Sequence, residues 1–75
     1  MNSTDFNEIR LGDFAKILSR KYGVEIHITS QKVRDIRLAM TLQNRETIED
    51  VLKSLKIVTN TRIVRDGKQI YINER

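Results

Sequence analysis

Apolar residues follow a pattern that occurs twice along the chain. Each time, a strand with an apolar face precedes a helix in which large apolar residues recur three and four positions apart, which places them on one side of the helix. The first set is Phe6, Leu11, Phe14 and Leu18, and the second is Leu42, Ile48, Val51 and Leu55. The pattern predicts a duplicated βαβ unit.

The first half reads as strand, helix, strand. A short strand is predicted over 4–8 around Phe6, followed by a helix from Leu11 to Tyr22. Gly23 is then the expected left-handed residue that ends the helix. Apolar and polar residues alternate over 24–29, which is typical of a strand with one buried face. Residues 30–35 read as a polar connector.

The second half repeats this order. Residues 36–43 alternate cleanly and predict a strand, and a helix is expected over about 47–56. Thr47 with Asp50 three residues later resembles a capping box, and Asn44 is the competing cap. Acidic residues at the start of this helix and lysines at its end match the helix dipole.

The last segment, 61–73, predicts a β-hairpin. Asp66-Gly67 is a preferred pair for a two-residue type I′ turn. That turn sets Arg65 opposite Lys68, and further pairs follow two residues apart. The resulting pairs are Ile63 with Ile70, Thr61 with Ile72, and, on the other face, Arg62 with Tyr71 as a cation–π contact. Ile63, Ile70 and Ile72 then share the core face.

These elements predict a small α/β (α+β) sandwich of order βαβ-βαββ, in which two helices pack between small β-sheets. With 75 residues the chain is expected to be a single domain. The domain is expected over residues 5–73, and residues 1–4 are expected to be a flexible tail or a remnant of cloning.

The residue types argue against catalysis and metal binding. The chain has one His and no Cys, and metal sites are built from clusters of such residues and carboxylates. His27 occupies an outward strand position, where we expect a solvated side chain, and no base or orienting group accompanies a serine. The three glycines are isolated, so no phosphate-binding loop is present. We predict no catalytic, cofactor-binding or metal-binding residues.

The excess of basic over acidic residues makes nucleic-acid binding an alternative to binding a protein partner. The chain has 14 Lys and Arg against 10 Asp and Glu, with a pI of about 9.8. These cations are spread over every predicted element and interleaved with acids, and no strand has the paired aromatics that stack on bases. We therefore predict a protein partner, and a small basic nucleic-acid-binding module stays the alternative.

The strand edges of an open sandwich are the predicted interaction surface. Unpaired backbone groups at an edge can add a strand from a partner, although charged residues there also protect the edge from aggregation. The terminal hairpin has both features. The predicted partner-binding residues are Arg62, Val64, Arg65, Lys68, Gln69 and Tyr71.

Several segments, taken in order, resemble a known domain. They are the run FNEIRLGDF at 6–14, the helix end RKYGV at 20–24, ETIEDVL at 46–52 and GKQIYI at 67–72. They resemble the C-terminal domain of FecR-like transmembrane anti-sigma factors, especially the Bacteroidetes type. Arg10 departs from the small residue or proline often found before the helix Leu in that family. The likeness covers residues 6–72.

The resemblance implies a fold similar to the short N-terminal (STN) domain of secretins and TonB-dependent receptors. It also implies a periplasmic domain, the C-terminal part of a single-pass inner-membrane regulator whose cytoplasmic part, absent here, holds a sigma factor. The implied partner is the signalling domain of a TonB-dependent outer-membrane transporter. A second reading is an STN-like signalling domain of a TonB-dependent receptor or of a secretin itself.

Overall fold

The computed structural model describes residues 3–75, which form three helices and five strands. In chain order the elements are β1 (Thr4–Arg10), α1 (Leu11–Tyr22), β2 (Glu25–Ile28), α2 (Gln31–Arg34), β3 (Arg37–Leu42), α3 (Ile48–Thr59), β4 (Thr61–Asp66) and β5 (Gln69–Glu74). Strands β1 and β3 form an antiparallel pair, and the other sheet has the order β2-β5-β4. Within it β2 is parallel and β4 antiparallel to β5. The predicted small α/β sandwich is confirmed.

The core lies where both sheets meet α1 and α3. The largest fully buried side chains come from both long helices and from β5, namely Phe14, Leu11, Leu18, Leu55, Ile70 and Ile72. Phe6 of β1 is half-buried and packs edge-on against Phe14, with ring centroids 5.2 Å apart. The repeated apolar pattern therefore builds the core.

Helix α1 begins and ends at the predicted residues. Its first amide, on Leu11, donates to the carbonyl of Ile36 at 2.7 Å. Gly23 ends the helix with φ of 64° and donates its N–H to the carbonyl of Ser19. A residue without a Cβ adopts this left-handed conformation without steric strain. The predicted cap is confirmed.

The predicted polar connector over 30–35 is wrong, because it contains the short helix α2. The Ser30 hydroxyl accepts a hydrogen bond from the Val33 amide at 3.3 Å, which caps the turn. Val33 is only 1% exposed and belongs to the core. A single apolar residue among polar neighbours has no periodicity, so pattern alone did not reveal this turn.

Helix α3 starts with the predicted capping box. The Thr47 hydroxyl accepts from the Asp50 amide at 3.2 Å, and the Asp50 carboxylate accepts from the Thr47 amide at 3.3 Å. The competing cap at Asn44 is therefore wrong. The helix continues past the predicted end at 56 to Thr59, where Asn60 adopts the left-handed conformation with φ of 53°. Asn tolerates this conformation better than most residues.

Strand β1 also differs from its prediction. It extends to Arg10 instead of ending at 8, with a bulge between Phe6 and Ile9 where Glu8 has φ of 50°. Of the tail predicted over 1–4, Met1 and Asn2 lie outside the described residues, and Thr4 already belongs to β1.

The predicted register of the hairpin is wrong by two residues. The loop consists of Gly67 and Lys68, and Asp66 pairs with Gln69. Gly67, at the first central position, has φ of 61°, and Lys68 does not have positive φ. Positive φ at the first central position alone is typical of a type II′ turn, whereas a type I′ turn needs positive φ at both central positions.

A shift of two residues leaves each side chain on its original face. Ile70 and Ile72 are fully buried and Ile63 is half-buried, so the predicted core face of the hairpin is confirmed. The predicted cation–π pair is not, because Tyr71 lies opposite Val64 and Arg62 lies opposite Asn73.

Candidate interaction surface

The outward face of the β2-β5-β4 sheet is the candidate site, and we call it the sheet face. Its inward neighbours, such as Ile28, Ile70 and Ile72, belong to the core, and side chains alternate along each strand. The remaining residues therefore point outward. The register sets them in three rows across the sheet: Glu25, Gln69 and Asp66; His27, Tyr71 and Val64; and Asn73 with Arg62.

The middle row is the apolar centre of the sheet face. The His27 and Tyr71 rings stack with centroids 5.1 Å apart and planes inclined by 22°. Val64 lies opposite Tyr71 on the other side. Tyr71 is 41% exposed and Val64 is 49% exposed, so two large apolar side chains face solvent beside the imidazole. Exposed aromatic side chains at a sheet centre are typical anchors of protein interfaces.

Polar contacts fix the imidazole of His27. Its Nε2 lies 2.7 Å from Oε1 of Gln69, and the carboxylate of Glu25 lies 3.9 Å from the same nitrogen. Since an amide oxygen only accepts, Nε2 carries a hydrogen in this arrangement. Two polar contacts, to Gln69 and Glu25, and the stack on Tyr71 thus hold the ring against β5, which makes the centre of the sheet face preorganised.

The structure separates the six predicted partner-binding residues into two groups. Arg62, Val64, Gln69 and Tyr71 lie together on the sheet face. Arg65 points to the opposite side, where its guanidinium forms an ion pair with Glu49 of α3 and donates to the Gly67 carbonyl at 2.8 Å.

Lys68 belongs to the turn, and its carbonyl accepts the Glu25 amide at 2.8 Å. Its side chain is exposed at the rim of the sheet.

Sequence reasoning missed His27 as a member of this surface. Its outward position on β2 was predicted, but its stack on Tyr71 depends on the parallel pairing of β2 with β5. Those strands lie 44 positions apart in the chain, and the sequence has no local signal for such a pairing. The only hint in the sequence was that His27 is an imidazole at an outward strand position in a chain with few aromatic residues.

Strand β4 leaves a free edge beside the sheet face. In a two-residue hairpin the residues that flank the loop form a hydrogen-bonded pair, and bonded and non-bonded pairs then alternate. Asp66 and Val64 therefore bond to β5, whereas Thr61, Ile63 and Arg65 direct their backbone groups away from it. A groove of about 210 Å³ separates this edge from Lys53 and Lys56 of α3.

The junction between α1 and α3 holds the two described groups with a clear change of pKa. Burial raises the pKa of Tyr22, and the charges of Glu46 and Asp50 add to this effect. The Tyr22 hydroxyl donates to the Glu46 carbonyl at 2.9 Å. Backbone hydrogen bonds, first that from Gln43 at 2.9 Å, lower the pKa of the Glu46 carboxyl. Both groups stabilise the start of α3 and lie away from the sheet face.

Across residues 3–75, no three His, Cys, Asp or Glu side chains are grouped so that they could hold a metal ion. The same residues contain no helix that is both long and apolar enough to span a bilayer. The exposed polar and apolar groups of the sheet face can bind a protein surface through packing and hydrogen bonds.

Comparison with known families is decisive for identity. The family model described as FecR, C-terminal, matches residues 3–72. The chain belongs to the FecR C-terminal family. FecR C-terminal domains are the C-terminal parts of membrane anti-sigma factors, and they are signalling domains of FecR-like regulators. The predicted family is confirmed. A search of curated proteins finds no match to this FecR C-terminal domain.

Proposed function

We propose that this FecR C-terminal domain is a non-enzymatic, periplasmic protein-interaction module of an anti-sigma regulator. It receives a signal from a TonB-dependent outer-membrane transducer by binding the signalling domain of that transporter. The signal passes to a cytoplasmic part of the regulator, absent from this chain, which holds a sigma factor. The observation that carries the proposal is the family match over residues 3–72.

The sheet face supports a role in binding. Tyr71 and Val64 expose 41% and 49% of their surface in the middle row of the sheet face. Neither side chain is needed to fill the core, which is built by the opposite faces of β4 and β5. Exposed apolar residues surrounded by polar ones, here Arg62, Gln69 and Asn73, have the composition of an interface with a polar rim.

We assign the contact residues accordingly. Arg62, Val64, Gln69 and Tyr71 form the centre of the partner-binding surface, and His27 supports Tyr71 from β2. Lys68 lies at the rim, and Arg65 presents its backbone at the free edge of β4 for strand addition while its side chain is held by Glu49.

The experiment measures binding of the purified domain to the signalling domain of the TonB-dependent transporter encoded beside it, by isothermal titration calorimetry. The test variant is Val64→Ser with Tyr71→Ser. The matched control is Ile57→Ser with Val58→Ser, which removes two exposed apolar side chains from α3, 80% and 52% exposed. Truncation of central anchors commonly weakens binding by about tenfold to several hundredfold.

We expect that loss for the sheet variant and wild-type affinity for the α3 control, with both folded by circular dichroism. Absence of any association between the folded wild-type domains would refute the proposed partner. An equal loss in both variants, or a loss only in the α3 control, would refute the assigned surface.

A further inference from the structure

A second free edge lies at the opposite side of the same sheet, on β2. The Glu25 amide bonds to the carbonyl of Lys68, which immediately precedes β5, so the parallel register directs the backbone groups of Glu25 and His27 toward β5. The amide and carbonyl of Ile26 and the amide of Ile28 point away from the sheet. Within residues 3–75 these three groups have no hydrogen-bond partner.

Both flanks of this edge are occupied. On one side the Val24 carbonyl accepts from the Ser19 hydroxyl and the Val24 amide donates to the Ser19 carbonyl. On the other side the Arg34 Nε donates to the Ile28 carbonyl at 2.9 Å. The open backbone is therefore limited to the amide and carbonyl of Ile26 and the amide of Ile28, because the groups on both sides of them are already hydrogen-bonded. We call this stretch the window.

A groove of about 560 Å³ runs along this window between β2, α1 and α2. Its floor contains Ile26, Ile28 and Ala15, and Gly12 and Ser19 of α1 also line it. Ile26 is only half-buried although it faces inward. The groove thus has an apolar floor and small side chains on its helical wall, which leaves room for the alternate side chains of an added strand.

The rim of the groove is basic. Four cationic side chains line it, against two carboxylates: Arg10, Lys16, Arg20 and Arg34, with Asp13 and Asp35. Arg34 is bonded to the Ile28 carbonyl, and Asp35 accepts from Gln31 at 3.0 Å. Arg10, Lys16 and Arg20 are exposed, and their side chains form no ion pair or hydrogen bond with residues 3–75. Asp13 is also exposed, but four cations against two carboxylates leave the rim with a net positive charge.

The length of this basic row fits a short strand. Arg10 precedes α1, and Lys16 and Arg20 are four residues apart on one face of it. At 1.5 Å per residue the row extends over about 15 Å, the length of roughly five residues of β-strand at 3.3 Å each.

From these observations we propose that the β2 groove binds an extended, acidic peptide segment of a partner protein as an added strand. The peptide bonds to the backbone of Ile26 and to the Ile28 amide, places alternate small apolar side chains over Ala15 and Ile26, and pairs its carboxylates with Lys16 and Arg20. This site is separate from the sheet face and does not rest on the function proposed above.

A peptide fits this groove better than a nucleic acid does. Among residues 3–75 no aromatic side chain lines the groove, so these residues offer bases no surface on which to stack. The open backbone groups of Ile26 and the apolar floor match a polypeptide strand, and neither feature suits a phosphate backbone.

The experiment selects from a phage-displayed library of random nine-residue peptides on the immobilised wild-type domain. Selected peptides are then tested against Lys16→Glu with Arg20→Glu, which reverses two charges in the groove. The matched control, Lys53→Glu with Lys56→Glu, makes the same change of charge on α3 beside β4. All four side chains are exposed, so the variants should fold.

We expect selected peptides to be rich in Asp and Glu, to lose at least tenfold in affinity for the groove variant, and to bind the α3 control as they bind wild type. Amide exchange provides a second readout, because the Ile26 amide should exchange rapidly in the free domain and slowly with peptide bound. The Tyr71→Ser variant should bind these peptides normally, which separates this site from the sheet face.

Four results would overturn the proposal. Selection could enrich no peptide, or peptides that bind the groove variant as tightly as wild type. Single-stranded oligonucleotides could protect the Ile26 amide where peptides do not. The free domain could self-associate with protection of the Ile26 amide, which would assign the edge to a second copy of the chain.

Discussion

His27 of β2 and Tyr71 of β5 lie opposite each other in the parallel pair of the sheet and stack with ring centroids 5.1 Å apart. Stacked aromatic pairs contribute about 0.5–1.5 kcal/mol beyond the area they bury. We expect His27→Ala to lower the free energy of unfolding by about 1 kcal/mol and Tyr71→Ala to do the same. A double-mutant cycle by urea denaturation should give a coupling energy of about that size, and strictly additive losses would show that the stack contributes nothing.

The capping box of α3 gives a second prediction. Thr47→Ala removes the hydroxyl that accepts the Asp50 amide, and loss of such a cap lowers the free energy of unfolding by about 1 kcal/mol. Ser54→Ala is the matched control, since Ser54 is exposed within the same helix and Ala has the higher helix propensity. Thermal or urea denaturation should show a loss for Thr47→Ala only. Equal stability of the two variants would contradict the assigned cap.

The Glu46 carboxyl predicts a dependence of stability on pH. Its folded-state pKa is lowered below the ordinary value of 4.5 by the hydrogen bond from the Gln43 amide and by further backbone bonds. A lowered folded pKa means that the stabilisation is fully present above 4.5 and is lost as the pH falls through the folded pKa. Wild type should therefore exceed Glu46→Gln in stability near neutral pH.

That difference should shrink once the pH falls below 4.5, where the carboxyl is protonated first in the unfolded chain, and should vanish below the lower folded pKa, where the native carboxyl is protonated too. Urea denaturation of both proteins across this range measures it. A difference that stays constant with pH would mean that the carboxylate charge is not the stabilising feature.

Two glycines predict opposite effects of the same substitution. Gly67 has φ of 61° in the turn, so Gly67→Ala should destabilise the domain by about 1 kcal/mol or more. Gly12 lies in α1, where an added Cβ would meet Arg34 at an ordinary distance of 3.5 Å. Gly12→Ala should raise the free energy of unfolding by up to about 1 kcal/mol through helix propensity. Destabilisation by both variants would contradict the backbone conformations.

Local features of this fold could be predicted from sequence because each depends on a few neighbouring residues. The Tyr22-Gly23 helix end, the Thr47 cap and the inward face of Ile70 and Ile72 are examples. Features that depend on a single backbone angle, or on the pairing of strands far apart in the chain, could not be predicted from sequence. The turn moved by one residue, and the strand pairing by two, because Gly67 and not Asp66 supplies the first positive φ.

The residues of the candidate site likewise divide into those that local pattern predicted and those that depend on long-range contacts. Arg62, Val64, Gln69 and Tyr71 were predicted together because a two-residue error in register preserves the face. Arg65 was misplaced because its side chain lies on the same side of β4 as the half-buried Ile63, and its ion pair with Glu49 links two elements that the pattern treats separately. The β2 edge was not anticipated, since its position at the sheet boundary follows from a long-range parallel pairing.

The order β2-β5-β4 places the strand that comes last in the chain between the other two. Strand β2 has no strand partner until residues 69–74 are available, although it is completed by residue 28. The sheet therefore closes only after all other elements have left the ribosome. Until β5 is synthesised, β2 and β4 present unpaired backbone on the sides that later bond to β5, in addition to their free outer edges. A protein that captured the nascent chain would therefore meet more open strand backbone than the folded domain exposes.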